Sequence, residues 1–402
     1  MKTREVKLGE VPNVKGGKRI PKGIGLINIP NGHPYIRVRD LNNKRLLELD
    51  NSYEYVDNET QKVISKYTVK AGDVVLSIVG TIGLVAIVGR TLDGANLTEN
   101  CVKLSSFHGV NRDFLYYYLR SDCGQQEIRC GTVGAVQAKL PIKNIQNIAI
   151  NLPDYTTQER IASLLLSIDR KIELNQKIND NLEQQAVALF KSWFVDFSLF
   201  GGTVPENWED TTLENITTLI TRGIAPKYSD NSDQTVVNQK CIRNHTIDLS
   251  LARTHTPKAI NEKWLKFGDL LINSTGDGTL GRVAQVWFAP KALTVDSHVT
   301  IVRPAREELI FYIGLWGILH EKEIESLHTG STGQTELPRD RVKMLKLLLP
   351  DNISLSRFNS IITPMASTII SNQEENQKLA SLRDTLLPKL MSGEIDVSNI
   401  QF

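Results

Sequence analysis

The sequence contains no apolar run approaching the ~20 residues that a bilayer span needs. Its first residues, Met1-Lys2-Thr3-Arg4-Glu5, lack the apolar core of a secretory signal. Cysteine is scarce: Cys101, Cys123, Cys130 and Cys241 form no CxxC pair and have no histidine at zinc-ligand spacing. The expectation is a soluble cytoplasmic protein with reduced thiols and no membrane partner. Enzyme signatures are missing as well. There is no GxxxxGK[ST] phosphate loop, no HExxH, no G-x-S-x-G elbow, and no (Asp/Asn/Ser)-Pro-Pro-(Tyr/Phe) tetrapeptide of the kind that holds a flipped base. Gly276-Asp277-Gly278-Thr279-Leu280-Gly281 fits G-x-G-x-x-G, but Arg282–Trp287 after it reads as a strand where a dinucleotide site needs a helix. A tight turn is the better reading. These absences point to a binder rather than a catalyst.

What is present is an ordinary globular composition with an uneven charge. The 402 residues are 41% hydrophobic and 23% charged, enough for two or three domains with real cores. Residues 1–153 carry 21 Lys+Arg against 14 Asp+Glu, a net +7, whereas residues 201–350 carry 17 against 18, a net −1. A basic first segment permits a polyanionic partner without requiring one.

The chain is written twice. At a shift of 197, Leu152-Pro153-Asp154 recurs as Leu349-Pro350-Asp351, and Asn175-Gln176 as Asn372-Gln373. Residues 152–182 show 10 identities in 31 positions at that shift, against about two expected from average usage. Upstream, Leu140-Pro141 matches Leu337-Pro338, and Gly72-Asp73-Val74-Val75 matches Gly268-Asp269-Leu270-Leu271. Each copy is a mixed globular part, 1–153 or 201–350, followed by a helical segment, 154–200 or 351–402. In the first globular part, Val74–Val79 and Val85–Val88 suggest a hairpin; Phe114–Leu119 and Phe311–Trp316 read as short helices.

Thr156-x-x-Glu159 reads as a capping box opening the first long helix. Ile161, Leu165, Ile168, Ile172, Ile178 and Ala186 then fall on one stripe, answered by Phe358, Ile362, Ile369, Leu379, Leu382 and Leu386 in the second copy. Ile361 joins the second stripe. A helix of ~50–60 Å with one apolar stripe needs a partner, and the other copy is the obvious one. The alternative is that each helix packs on its own domain. Asn175 and Asn372, near the middle of their stripes, would favour one register of such a pair. Pro364 either kinks the second helix or marks its first turn, with Thr363 as cap.

Several residues suit a polyanion. Lys15, Lys18, Arg19 and Lys22 flank Gly16, Gly17 and Gly23; Arg37 and Arg39 would share one face if Tyr35–Arg39 is a strand. The second copy offers Arg222, Lys227, Lys240 and Arg243. Two small-residue loops recur, one with Thr132, Gln137 and Lys139, the other with Ser331, Thr332 and Gln334. Small residues let a backbone approach a phosphate, and Gln can pair with an adenine edge.

Taken together, the sequence resembles the specificity (S) subunit of Type I restriction-modification enzymes. The resemblance is sharpest at Leu152–Ala162, Ile168-Asp169-x-Lys171-Ile172, Trp193-Phe194-Val195-Asp196-Phe197 and Leu382-Arg383-Asp384-x-Leu386-Leu387-Pro388-Lys389-Leu390-x-Ser392-Gly393. It implies an α+β (mixed α/β) fold: two similar target recognition domains separated by two long helices packed as an antiparallel coiled coil, an internal pseudo-twofold repeat. Each domain would read half of a split, asymmetric site in double-stranded DNA. The helices would set the gap and dock two modification subunits, with restriction subunits joining for cleavage. S-adenosylmethionine, ATP and Mg would belong to those partners, leaving this chain non-catalytic and without cofactor or metal. Acidic residues on the helices, Glu173, Asp180, Glu183, Glu374 and Glu375, would be available for docking. The rival reading is a non-DNA pseudo-dimeric adaptor or scaffold.

Overall fold

The computed structural model describes residues 3–41, 44–134, 137–276, 278–330 and 335–397. It divides into two compact units, each mixing sheet and helix. The first comprises residues 1–173 and 376–402, and the second residues 174–375. Each unit therefore takes one globular part, half of one long helix and half of the other.

The two units repeat a framework of three sheets. In the first, Asn13–Gly16, Cys101–Ser105, Val74–Ser77, Val85–Val88 and Leu46–Leu47 form one sheet in that order, and Glu54–Tyr55, Pro34–Ile36 and Asn96–Leu97 form another. In the second, Thr217–Arg222, Val299–Pro304, Leu270–Asn273 and Val283–Gln285 match the larger sheet; Arg253–Thr254, Thr235–Val237 and Leu293–Val295 match the smaller. A two-stranded ribbon leads into each long helix: Thr3–Lys7 pairs with Ala149–Pro153, and Glu209–Thr212 with Lys346–Leu349. Strands such as Val74–Ser77 and Leu270–Asn273 are buried at every position, so they carry runs of apolar residues without alternation. The Val74/Val85 hairpin and the Arg112–Arg120 and Ile310–Leu319 helices stand where the sequence suggested.

The repeated Gly-Asp explains itself in this setting. Gly72 and Gly268 take φ of +91° and +88°, closing the turn before the central strand. The following carboxylate is buried, and it accepts the backbone N–H of Lys70 (2.9 Å) or Lys266 (2.8 Å). Its counter-charge comes from the neighbouring strand: Lys103 lies 3.5 Å from Asp73, and Arg303 donates twice to Asp269 at 2.8 and 2.7 Å. Buried carboxylates are tolerated only with such partners.

The long helices run Tyr155–Phe194 and Asn352–Ser392. Their N-caps are Asp154 and Asp351, the last residues of the repeated Leu-Pro-Asp, rather than Thr156. Asp154 accepts from the Thr157 N–H (3.0 Å), and Asp351 from the N–H groups of Ile353 (2.8 Å) and Ser354 (2.9 Å). An ionised carboxylate is a stronger acceptor than a hydroxyl and sits at the positive end of the helix dipole. Pro364 lies inside the second helix, not in its first turn; the chain stays helical on both sides of it.

Within each unit the half-helices pack antiparallel. In the first, Ile161, Ala162 and Leu165 share a core with Leu390, and Asp169 meets Arg383 at 2.9 Å. In the second, Phe190 meets Phe358 edge to face (6.0 Å between centroids), and Asn372 donates to Asn179 (2.8 Å). Asn175, fully buried, donates to Glu375 at 2.7 Å. Most stripe residues are covered, but Ile178, Ile361 and Leu382 keep 37–48% of their surface.

The aromatic Trp193–Phe197 segment packs into the second core. Phe194 contacts Phe358, Tyr312 and Trp208, with ring centroids 4.8, 5.1 and 5.6 Å away, and the Trp208 indole N–H donates to the Asp351 carboxylate at 2.9 Å. The cap of the second helix is thereby tied to the aromatic cluster. Burial raises the Asp351 pKa, but hydrogen bonds from Ser354 and Trp208 outweigh it and bring it to about 2.

Candidate nucleic-acid interface

At one end of each larger sheet, five chain segments converge through matching backbone hydrogen bonds. In the first unit Gly17 N–H donates to Cys101 O (3.0 Å) and Lys18 N–H to Leu97 O (2.8 Å). Thr98 N–H reaches Ile36 O (3.1 Å), Ile78 N–H reaches Asn100 O (2.8 Å), and Leu140 N–H reaches Ile78 O (2.9 Å). In the second unit the same five bonds are Gly223 to Val299 (3.1 Å), Ile224 to Val295 (2.9 Å), Asp296 to Val237 (3.0 Å), Ser274 to His298 (2.8 Å) and Leu337 to Ser274 (2.8 Å). Only glycine fits the first crossing. A Cβ on Gly17 would lie 2.1 Å from Thr98 O, and one on Gly223 would lie 1.9 Å from Val295 O.

The two small-residue loops are hairpins fixed to this end. Val133 and Lys139 exchange backbone bonds of 2.8 and 2.9 Å, and Lys139 also bridges to Val79. Thr329 and Glu336 exchange bonds of 2.7 and 2.9 Å, and Glu336 bridges to Thr275. Gln137 and Lys139 are exposed, whereas the Thr132 hydroxyl is turned back to Ile128 O (2.8 Å). Ser331, Thr332 and Gln334 lie outside the described residues.

The framework therefore gathers Lys18, Arg37 and Lys139 in the first unit, and Arg222 and Lys240 in the second. Lys18 sits 5.5 Å above the Tyr67 ring, its backbone held by the Tyr35 hydroxyl (2.8 Å to Lys18 O). Arg222 is half-buried, with its guanidinium 2.8 Å from Glu336 and 3.0 Å from Leu337 O. Lys240 is exposed in the middle of the Gln239–Cys241 turn, its N–H on Asn238 Oδ1 (2.9 Å).

Other candidates stand apart. Lys15 is exposed opposite Lys103 on paired strands, Lys22 follows Pro21 in an exposed loop, and Arg19 lies 3.7 Å from Glu99. Lys227 lends its carbonyl to Thr256 N–H (2.8 Å), and Arg243 ends a short strand paired with Thr246–Ile247.

Two expectations need correction. Arg37 and Arg39 do not alternate along a strand, because the strand ends at Ile36 and Val38–Leu41 is a 3-10 turn. The buried Asp40 carboxylate accepts the Arg37 N–H at 2.7 Å and closes that turn. Burial lifts its pKa to about 6 against the opposing pull of Arg39. Both guanidiniums nevertheless meet one carboxylate, Glu54, Arg39 at 2.8 Å. Of the acidic helix residues, Glu173 is turned inward onto Arg45, which donates twice at 2.7 and 2.9 Å, and Glu375 is held by Asn175. Glu183 is half-buried, and burial raises its pKa. Asp180 and Glu374 remain exposed.

Sequence reasoning missed Thr275, His298 and Glu336, which lie at the same end of the second unit. Thr275 Oγ1 is 2.6 Å from His298 Nδ1. The 197 shift that aligns Leu140-Pro141 with Leu337-Pro338 places Glu336 on Lys139 and was the available signal. Among the described residues no group of three His, Cys, Asp or Glu side chains could hold a metal ion, and no helix is long and apolar enough to cross a membrane.

Comparison with known proteins is consistent with this picture. Residues 2–184 match the family described as the Type I restriction modification DNA specificity domain. The chain is 25% identical over 393 residues to the Type I restriction enzyme MjaIX specificity subunit of Methanocaldococcus jannaschii, covering 91% of this chain and 88% of that protein. It is 22% identical over 346 residues to the HindI specificity subunit of Haemophilus influenzae, covering 67% and 73%. The fold is shared with the crystal structure of a Type I restriction-modification S subunit from M. genitalium, at 15% identity and a TM-score of 0.56 over 97% of this chain and 96% of that one.

Proposed function

The chain belongs to the specificity-subunit family of Type I restriction-modification enzymes, and on that premise we propose that it reads a split, asymmetric target in double-stranded DNA. One half-site falls to each globular unit. Partner subunits carry out adenine methylation and ATP-dependent cleavage at the site so chosen. The observation that carries this reading is the pair of equivalent sheet ends: the backbone framework is the same, bond for bond, but the side chains on it differ. Two frames with unlike side chains suit two unlike half-sites. Lys18 and Lys139 give the first end a cationic face for phosphates and acceptor-rich bases, while Arg37 is already met by Glu54. At the second end Glu336 neutralises Arg222, so more of the phosphate attraction there is left to the partners.

The chain acts without catalytic groups of its own in this reading. S-adenosylmethionine, ATP and Mg reside in two modification subunits and in the restriction subunits. The paired helices hold the two modification subunits and set the gap between half-sites, with Asn175 and Asn372 fixing the register.

The test is genome-wide adenine methylation in cells carrying this chain with its modification subunit, compared with the modification subunit alone. A split, asymmetric motif methylated only when this chain is present supports the proposal. If no motif appears although the folded proteins associate, the proposal fails; absence of salt-sensitive DNA binding by that complex then leaves the adaptor reading.

A further inference from the structure

Corresponding positions at the two sheet ends can be paired from the backbone framework. Gly16 answers Arg222, Arg37 answers Asn238, Val79 answers Thr275, Asn100 answers His298, and Lys139 answers Glu336. The last of these reverses charge on an otherwise identical frame. Lys139 and Glu336 both close the base of their hairpin, and both bridge to the extension of the central strand. Lys139 is exposed and has no ion-pair partner among the described residues. Glu336 also keeps 56% of its side-chain surface, although Arg222 lies 2.8 Å from one of its oxygens.

We infer that Glu336 is a specificity-determining residue of the second unit, its carboxylate accepting a hydrogen bond from the exocyclic amine of a base in the major groove. The inference rests on the DNA-reading function proposed above. Arg222 is the positioning residue. Its guanidinium is anchored on the Leu337 carbonyl at 3.0 Å, so it holds the Glu336 carboxylate at a fixed point of the hairpin base. That pairing engages one carboxylate oxygen and leaves acceptor capacity on the other. A carboxylate facing a base edge selects an amino group, cytosine N4 by preference or adenine N6, and rejects the O6 and O4 acceptors of guanine and thymine. Lys139, at the same place in the first unit, presents donors only and selects the reverse. A surface ion pair this exposed contributes little to folding. Its neutral replacement therefore leaves the frame intact while changing what the hairpin base presents.

The test uses the assembled complex with its modification subunits on a randomised DNA library, scoring the methylated sequences. For E336Q the prediction is a loss of about tenfold or more in preference at one base of one half-site where that base is cytosine, and a retained preference where it is adenine, whose edge a glutamine amide also pairs. The other half-site is unchanged. Relaxation by E336Q therefore identifies a cytosine amine, and retention with loss in E336K an adenine amine. E336K is expected to move that preference toward guanine, and R222K to weaken it without redirecting it. A wild-type complex that yields no motif defeats the proposed function itself. A clear wild-type motif that E336Q and E336K leave unaltered overturns this inference alone, as does a uniform loss of affinity at every position. If E336K does not fold, E336Q and E336D carry the test: E336D should keep the base identity and lose affinity.

Discussion

The junction of the first unit with its helices rests on a hydrogen-bonded cluster of three polar groups, and removing its two charges together should cost less than the two single removals add up to. Asp169 of the first long helix, 4% exposed, accepts from Tyr117 OH at 2.6 Å and from Arg383 of the second helix at 2.9 Å. Burial and the Asp169 charge both push the Tyr117 pKa up, so its hydroxyl remains a proton donor. The second unit supplies the control. At the 197 shift Tyr117 becomes Gly314, Asp169 becomes Ala366 and Arg383 becomes Ala186, with both alanines almost fully buried. One junction is polar and its counterpart apolar. Asp169→Ala takes from the Arg383 guanidinium, 19% exposed, its buried partner and from the Tyr117 hydroxyl its acceptor, leaving Arg383 the exposed Asp384 carboxylate at 2.8 Å. Breaking a buried pair from one side costs about 3–5 kcal/mol, and the remaining Asp384 contact places this variant at the lower end. Asp169→Ala/Arg383→Ala removes both charges and should cost less than the sum of the two single variants, with a coupling of about 1–3 kcal/mol. The Tyr117 hydroxyl, still unpaired, accounts for about 1–3 kcal/mol of what remains, and Tyr117→Phe added to the double variant should recover part of it. Hydrogen exchange in the full chain, followed in Arg112–Arg120 and residues 376–392 with second-unit peptides as internal reference, gives these differences. Strict additivity of the two single variants, or a cost below about 1 kcal/mol for Asp169→Ala, would refute the reasoning.

Four further outcomes follow from the same structure. Asp351 has a pKa depressed to about 2, so its contribution is fully present above the unfolded carboxylate value of about 3.9 and fades as pH falls through 2; Asp351→Asn should flatten the fall in melting temperature between pH 4 and 2. His255 is fully buried, with neither ring nitrogen hydrogen-bonded among the described residues, and it occupies the place held by Val56 in the first unit; His255→Val should stabilise the second unit by about 1–3 kcal/mol in urea unfolding. Deleting one turn from each long helix should change the spacing between methylated half-sites and leave their bases unchanged, and altered bases at fixed spacing would overturn the ruler role. Exchanging residues 201–350 for the corresponding segment of another specificity subunit should change one half-site, as read from the methylated motif.

Repeats and periodicity carry far in this chain because they report on backbone and burial. The 197 shift, the turn-forming Gly-Asp pairs and the apolar stripes all follow from packing that both units must satisfy. What stayed hidden depends on side chains meeting across distant segments. Thr156-x-x-Glu159 is a plausible capping box, yet Asp154 wins the cap because its charge serves both the Thr157 N–H and hydroxyl. The alternation of Arg37 and Arg39 suggested a strand, but Asp40 closes a turn there through a bond that no period-two pattern reveals. Glu336 escaped notice because a search for cations passes over a carboxylate. Only the alignment of Leu140-Pro141 with Leu337-Pro338 places it on Lys139.

Two motifs distant in sequence turn out to be halves of one contact. Asp169 belongs to Ile168-Asp169-x-Lys171-Ile172, and Arg383 to the C-terminal Leu382-Arg383-Asp384. Each looks like an isolated surface charge until antiparallel packing brings them within 2.9 Å inside the first unit. Their equivalents, Ala366 and Ala186, need no charges because the second unit fills that junction with Phe190, Phe194, Tyr312 and Phe358. A polar junction depends on direction and hydrogen-bond geometry in a way that an apolar one does not. The first unit is therefore the one whose seat on the helices a single charge change should loosen. Charge substitutions at Asp169 or Arg383 are expected to impair recognition of the half-site proposed for residues 1–153 before they affect the other, and equal impairment of both would contradict that assignment.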